Sequence, residues 1–507
     1  MFKRVTLRGE SSRTRSKASA VMLPSSPTPE PLGAMRLPAG LRERVESALG
    51  RPDVKLALGE ATVILPEGGG EALVVLGLGE RLDAGLGAVR RAAGALTVAC
   101  DRMQLGSAKL HLPGPRALGE SADALGRAVA EGASIAAFDY ADYRGAAATR
   151  DAPAGELQLT VPNPMRSGFE TGALIAHGVT TARRLAATPP NVANPRYLAD
   201  HCRQLAREVG LTYREVDADE AARLGMGGLL AVGRGGSAPP RLIVLEHRGA
   251  SRRTAITRSE PVLLVGKAVT FDTGGVSLKP TSSMAGMKYD MCGGAAVIGA
   301  MEAAARLDLP TPVVGLVPCA ENLIDAAAYR VDDILTLCNG VTVEVVNTDA
   351  EGRLILADAL AYGTRYYKPR GVIDLATLTG GVVTALGDAA AGLFVNDHEL
   401  HRRLDIAGET TGERVWRLPL WDEHREKMRA AHADLQNAGD RKATAAQAAA
   451  FLSFFVGEDA PQSMPALPWA HLDIAGVAKA EADRGLYAKG PTGYGVRLVT
   501  RYLEALG

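Results

Sequence analysis

Two stretches of the 507-residue chain concentrate side chains that hold hard cations. Lys267, Asp272 and Lys279 fall within residues 265–280 (VGKAVTFDTGGVSLKP), Asp290 follows in residues 287–294, and Asp349, Glu351 and Arg353 lie in residues 346–354. Four carboxylates gathered without cations repel one another and drive their pKa values up. Two divalent ions resolve that repulsion, because carboxylates bridging metals about 3.5 to 4 Å apart form a recurring hydrolytic arrangement. None of the nine histidines is needed for it. Taken singly, the acids are ordinary turn and cap residues, since Asp-Thr-Gly-Gly and Asp-Ala-Glu-Gly are good turn chemistry. Their interleaving with Lys267, Lys279, Arg353 and glycines, which let backbone approach a ligand, makes the two stretches a candidate site.

The elements that must position these residues follow from the apolar runs. Strand-like segments at 241–246, 262–266, 311–318, 341–346, 371–374 and 392–395 alternate with helical ones such as 354–367. That alternation predicts a doubly wound α/β sheet, and both acidic stretches then lie beyond the carboxyl ends of its strands, where such sheets bind ligands. Upstream, the runs 61–65, 72–76 and 157–161 and the helical pattern 86–103 indicate a small α/β domain. Residues 2–7 and 18–23 read as two short strands around a polar turn. Residues 151–167, with three prolines, read as a linker, and 169–187 as an amphipathic helix stopped by Pro189 and Pro190. The expected fold class is thus α/β: a small N-terminal α/β domain over 1–165, a linker helix over 166–188, and a larger C-terminal catalytic domain over 189–507. The sheet of the latter is expected to be mixed, mostly parallel and flanked by helices.

Composition narrows the function. Lys and Arg number 57 and Asp and Glu 57, so no basic excess is present to neutralise nucleic-acid phosphates. A chain that is 47% hydrophobic and 22% charged suits a globular protein and excludes disordered and fibrous classes. The longest near-apolar stretches, 375–387 and 443–456, fall short of the about 18 to 20 residues of a membrane span. Five widely spaced cysteines without a CxxC pair indicate reduced thiols and a cytoplasmic protein. Residues 1–22 are rich in Arg and Ser like a transit peptide but lack a secretory apolar core, and the strand reading is preferred. Gly266-Lys267 fails as a phosphate loop, with Pro261 for the first glycine and Ala268 for the hydroxyl. His398-Glu-Leu-His401 is one residue too short for a zincin, no GxSxG elbow occurs, and Cys292 reads as a small buried residue.

The intact Asn347-Thr-Asp-Ala-Glu-Gly-Arg-Leu354, with Lys267, Asp272, Lys279 and Asp290 in matching order and spacing, resembles the leucyl (cytosol) aminopeptidase family. Thr188-Pro-Pro-Asn-Val-Ala-Asn-Pro195, Asp374-Leu-Ala-Thr-Leu-Thr-Gly380, Trp469-Ala-His-Leu-Asp-Ile-Ala-Gly476 and Gly490-Pro-Thr-Gly-Tyr-Gly-Val-Arg497 extend the likeness over the catalytic half. The resemblance implies a metal-dependent aminopeptidase that releases leucine and other apolar first residues from peptides with a free N-terminus. It implies one divalent ion on Lys267, Asp272, Asp290 and Glu351 and another on Asp272, Asp349 and Glu351, with Mn or Zn foremost and Mg or Co also suited. A lysine ligand must shed a proton near pH 7 from a reference pKa of about 10.4, a demand of roughly 5 kcal/mol that two dications can meet.

The same resemblance implies that Lys279 polarises the substrate carbonyl and that Arg353 holds a bicarbonate acting as general base. It further implies that backbone around Thr377, Leu378 and Gly380 positions the peptide, that Met287 lines an apolar pocket, and that the assembly is a homohexamer, a dimer of trimers. One departure stands out. Where family members carry flexible glycines before the helix at 448–455, this chain reads Gly439-Asp-Arg-Lys-Ala-Thr-Ala-Ala-Gln447, which stiffens or re-routes a loop. Two other functions compete: a DNA-binding regulator on the same fold, disfavoured by the zero net charge, and a dinuclear phosphoesterase, disfavoured by the intact signature with its lysine ligand.

Overall fold

The apolar strand Val262–Gly266 and the strand Val313–Asn322, apolar up to its last two residues, are buried along their whole length, as in a sheet covered by helices on both faces. The computed structural model of the chain describes residues 4–8, 16–25, 35–80, 85–147, 155–249, 256, 259–483 and 485–507. Its chain divides into two compact units, Met1–Ala176 with Ala480–Gly490, and His177–Lys479 with Pro491–Gly507.

The first unit contains β1 (Arg4–Leu7), β2 (Ala18–Leu23), β3 (Ala61–Ile64), β4 (Ala72–Gly77), β5 (Ser107–His111) and β6 (Glu156–Thr160) in one sheet ordered β1-β6-β5-β2-β4-β3. All pairs are parallel except β3 with β4. Two expectations are corrected here. β1 and β2 are strands but not neighbours, since β6 and β5 lie between them, and the turn at 9–15 and Phe2 lie outside the described residues. The proline-bearing stretch read as a linker holds β6, because Leu157 and Leu159 bury their side chains in the core while Pro162 and Pro164 lie beyond its end. Helices α1 (Ala39–Leu49), α2 (Leu86–Arg102) and α3 (Ala122–Ala136) cover the sheet, with buried Glu131 on α3 accepting from Arg90 Nε at 2.8 Å and Arg127 Nε at 3.0 Å. Helix α4 (Arg166–Ala187) carries the chain into the second unit.

The second unit is built on nine strands. They are β7 (Thr212–Val216), β8 (Arg241–His247), β9 (Val262–Gly266), β10 (Ala268–Asp272), β11 (Val313–Asn322), β14 (Gly371–Ala376), β15 (Ala391–Val395), β16 (Val415–Arg417) and β18 (Trp469–Asp473). The order is β16-β15-β18-β14-β9-β11-β8-β7, with β10 also on β11. The pairs β18–β14, β14–β9, β9–β11, β10–β11 and β15–β16 are parallel, while β15–β18, β11–β8 and β7–β8 are antiparallel, so the sheet is mixed and mostly parallel as expected. Helices α5 (Pro195–Val209), α6 (Cys292–Arg306), α8 (His398–Thr411) and α10 (Val496–Glu504) pack on one face. Helix α7 (Gly352–Tyr367), with α9 (Thr444–Leu452) against it, packs on the other, over a core that includes Leu263, Val265, Leu316, Ile355, Phe451 and Trp469.

The run at 341–346 departs from expectation. Only Thr342–Glu344 forms a strand, β13, and it belongs to a separate three-stranded sheet with β12 (Ile334–Thr336) and β17 (Leu435–Gln436). The reason is its one-sided pattern: Val341, Val343 and Val345 are buried whereas Thr342, Glu344 and Val346 are not, unlike a central strand buried on both faces. The second acidic stretch therefore leaves a small auxiliary sheet rather than the main one. Among the described residues no helix is long and apolar enough to cross a membrane.

Asp358 fixes α7 against this scaffold. Buried completely, it accepts from Leu229 N and Cys338 N at 2.8 Å each, and burial pushes its carboxyl up to about 7. A folded-state pKa above the unfolded one gives a contribution that is full below about pH 4 and is lost as pH rises towards 7. Asp358→Asn sacrifices one acceptor at a constant cost but removes this slope. Urea unfolding of both proteins from pH 4 to 8 is expected to show the native chain losing on the order of a few kcal/mol relative to the variant across that interval.

Candidate metal centre

Both acidic stretches reach the carboxyl-terminal edge of the central strands by short turns. After β9 the backbone N–H of Lys267 still donates to Leu375 O on β14 at 3.0 Å, then the chain enters β10, whose pairing with β11 shifts register between Val269 and Asp272. Beyond it the chain doubles back through Gly274 and Gly275, both in the left-handed region at φ 85° and 63°, which a side chain would strain. Asp272 Oδ1 accepts from Gly274 N at 2.9 Å and from Asn322 Nδ2 at 2.8 Å. Asp290 closes the 3₁₀ turn Met287–Tyr289 just before α6, and Asp349 and Glu351 occupy the turn that opens α7.

These turns bring six of the seven expected residues into linked ion pairs, and the seventh, Arg353, lies within electrostatic reach of Glu351 while bonding to Asn437. Ligand oxygens of Asp272, Asp290 and Glu351 lie within 4.8 Å of one another, and all three side chains are buried. Lys267 Nζ is 2.8 Å from both Asp290 and Glu351 and donates to Thr377 O at 3.0 Å. Lys279 Nζ is 2.8 Å from Asp272 and 2.5 Å from Asp349. The Asp349 side chain keeps 34% of its surface exposed while those of Asp272 and Glu351 keep 3% and 2%, so the centre has a deep end at Lys267 and an open end at Asp349.

Electrostatics match the crowding. Burial, then the charge of Glu351, raises Asp272 above the usual carboxylate range despite both lysines. Burial likewise raises Asp290 and Asp349. For Lys267 and Lys279 burial acts downward, but the surrounding carboxylates overcome it and hold both as ammonium ions. Arg353 donates from Nη1 to Asn437 O at 2.7 Å, its Nε has no hydrogen-bond partner among the described residues, and burial lowers its pKa to about 10. The Cys292 thiol is buried and pushed up to about 12, first by burial and then by Asp290, which makes it unreactive.

Several functional neighbours escaped the sequence reading. Asn322 ends the ten-residue strand β11 and ties Asp272 to Thr348 O, a polar terminus on an apolar run being its one signal. Thr377, named from the sequence only for its backbone, also donates its hydroxyl to Asp290 Oδ1 at 2.8 Å. Asn437 accepts from Val346 N at 2.8 Å and donates to Asn347 O at 2.7 Å, fixing the turn before Asp349. Within the stretch whose backbone is expected to position the peptide, Leu378 N donates to Asp473 at 3.1 Å. In the divergent loop, Asp440 accepts from Lys442 N at 2.9 Å and Gln447 Nε2 at 2.7 Å, and Ala443 takes a left-handed conformation (φ 52°, ψ 38°) as N-cap of α9.

Residues 180–500 match the family described as "Cytosol aminopeptidase family, catalytic domain", and residues 25–146 match its N-terminal domain. A probable cytosol aminopeptidase of Geobacter sp. (strain M21) is 43% identical over 438 residues, 86% of each chain. Another, from Aromatoleum aromaticum, is 39% identical over 480 residues, 93% of this chain and 92% of its own. Among solved structures, the bottromycin maturation enzyme BotP in complex with Mn superposes with a TM-score of 0.83 at 33% identity, covering 97% of this chain and 100% of that one. Fold and buried acid–lysine cluster thus define a peptidase, a hydrolase of peptide bonds. The chain belongs to the cytosol aminopeptidase family, with aminopeptidase activity as its chemistry.

Gly352 lies under Lys267, and a Cβ there would stand 2.5 Å from Lys267 Cε and 2.7 Å from Nζ. Gly352→Ala is expected to displace the ammonium from Asp290 and Glu351 and lower kcat at least about tenfold, with the circular-dichroism spectrum unchanged. Ala443→Gly relieves a left-handed alanine at the cost of a looser unfolded chain, and a net gain of roughly 0.5 to 1 kcal/mol is expected in urea unfolding.

Proposed function

We propose that the centre is a two-metal aminopeptidase site, with Lys267, Asp272, Asp290 and Glu351 holding one divalent ion and Asp272, Asp349 and Glu351 the other. The observation that carries this reading is the buried convergence of three carboxylates within 4.8 Å. The donor set fits: carboxylate oxygens whose repulsion is offset by two ammonium groups are the groups that a pair of dications would engage. Mn and Zn suit oxygen donors with one nitrogen, and Mg and Co remain compatible. Divalent ions, when bound, supply Lewis acidity that polarises the scissile carbonyl and acidifies a water.

The chain's own residues account for the rest. Lys267 has to release its proton to become a donor, so rising pH favours loading. Lys279, at the half-open end, is placed to remain protonated and donate to the oxyanion that develops on the substrate carbonyl, a preorganised term among the largest in catalysis. Arg353, with an unpartnered Nε, suits a small planar anion, and a bicarbonate there would accept the proton of the attacking water. A free α-amino group carries a donor lone pair that an acylated N-terminus lacks, which limits cleavage to the first residue. Leucine and other apolar first residues are the preferred substrates in this reading, with Met287 on the pocket wall. The exposed Val276, Leu278, Ile324 and Val346, all on loops bordering the centre, support an assembly that covers apolar surface, and a homohexamer in the cytoplasm is the form proposed.

Hydrolysis of leucine p-nitroanilide and its N-acetyl form, after chelation and re-addition of Mn, Zn, Co or Mg, tests the proposal. Cleavage of the free-amine substrate alone, dependent on metal and lost by at least about 10³-fold in Glu351→Ala, is expected. Undiminished turnover after exhaustive chelation, or equal turnover of the acetylated substrate, would overturn it.

A further inference from the structure

Asp473 ends β18 opposite Ala376, the last residue of β14, at the point where β14 gives way to the turn 377–379. It is 1% exposed, and three neutral donors converge on it: Leu378 N at 3.1 Å and Ala475 N at 3.2 Å on Oδ1, and Thr379 Oγ1 at 2.7 Å on Oδ2. Its hydrogen bonds are all from neutral donors, with only through-space charge from His471 and Arg353 beside them, so burying this carboxylate is costly and calls for a task. Two of the three donors belong to the turn, and Thr379 Oγ1 in turn accepts from Val382 N at 3.1 Å to cap the next helix. The same turn supplies Thr377, whose carbonyl accepts from Lys267 Nζ at 3.0 Å and whose hydroxyl donates to Asp290 Oδ1 at 2.8 Å.

We propose that Asp473 is a positioning residue that, through the turn 377–379, fixes Lys267 and Asp290 at the deep end of the centre and leaves the Asp349 end untouched. Pinned at Leu378 and Thr379, the turn can place Thr377 only where its two polar groups meet Lys267 and Asp290. At the open end, Asp349 takes its backbone and ion-pair partners from Asn347 and Lys279, on other segments. The effect is therefore directional: loosening the turn weakens one half of the site.

This inference rests on the two-metal reading, and the experiment separates the two. Full-length native, Asp473→Asn and Thr379→Val proteins, stripped with chelator, are titrated with Mn(II) by calorimetry and by electron paramagnetic resonance. In Asp473→Asn the amide must turn its NH₂ towards a donor, so the turn loses an arm. The native protein is expected to take up two equivalents. Asp473→Asn is expected to weaken one of them about tenfold to hundredfold, the range for residues supporting metal ligands, and to leave the other within about twofold. Thr379→Val should shift the same equivalent by less. A metal-free native protein that binds no Mn(II) refutes the two-metal reading and this inference with it. Native uptake of two equivalents, with both unchanged or both equally weakened in Asp473→Asn, refutes the inference alone. Should Asp473→Asn not fold, Thr379→Val decides: a selective loss upholds the role and unaltered affinities overturn it.

Discussion

Everything around the centre answers to one constraint: several carboxylates are buried within touching distance, and each must be matched by positive charge or by hydrogen-bond donors. Asp272, Asp290 and Glu351 share one buried pocket, and for Asp272 and Asp290 desolvation and the neighbouring acids both favour the neutral form unless positive charge stands beside them. The chain meets the demand twice over. Lys267 and Lys279 each span a pair of acids, while Asn322, Gly274 and Thr377 supply neutral donors. Such matching needs atoms from five segments held to within fractions of an ångström. The strands β9, β11 and β14, buried on both faces, give that fixity to the segments that leave their ends, and β13 of the auxiliary sheet carries Asp349 and Glu351.

Much of this was legible in the sequence, for reasons visible residue by residue. Val262–Gly266 and Gly371–Ala376 announce themselves because strands covered on both faces have no polar side, and the acids in their wake are dense enough to stand out. The segment 341–346 misled because a valine-rich run resembles a central strand until its alternate residues are weighed. Thr342 and Glu344, half-exposed, carry the information that β13 lies on a small separate sheet. β6 was hidden by the prolines that flank it, though they restrict only its ends.

Other features are not local at all. That β1 pairs with β6 rather than β2 depends on contacts 150 residues apart, and Asn322, Asn437 and Asp473 acquire their roles only when distant segments meet. Each is a polar residue at or just past the end of a strand, a pattern common in structures with no function attached. Nor does spacing foretell that Leu378 N is engaged by Asp473.

The auxiliary sheet has a consequence for how the protein can change over generations. Asp349 and Glu351 hang from β13, which pairs with Leu435–Gln436, and Asn437 clasps the intervening turn from the same strand's end. Two residues further on, the chain enters the loop at 439–447, held by its own internal contacts between Asp440, Lys442 and Gln447. Asn437 therefore works as a firebreak. A lineage can rewrite the loop without the alteration spreading into Asp349 and Glu351.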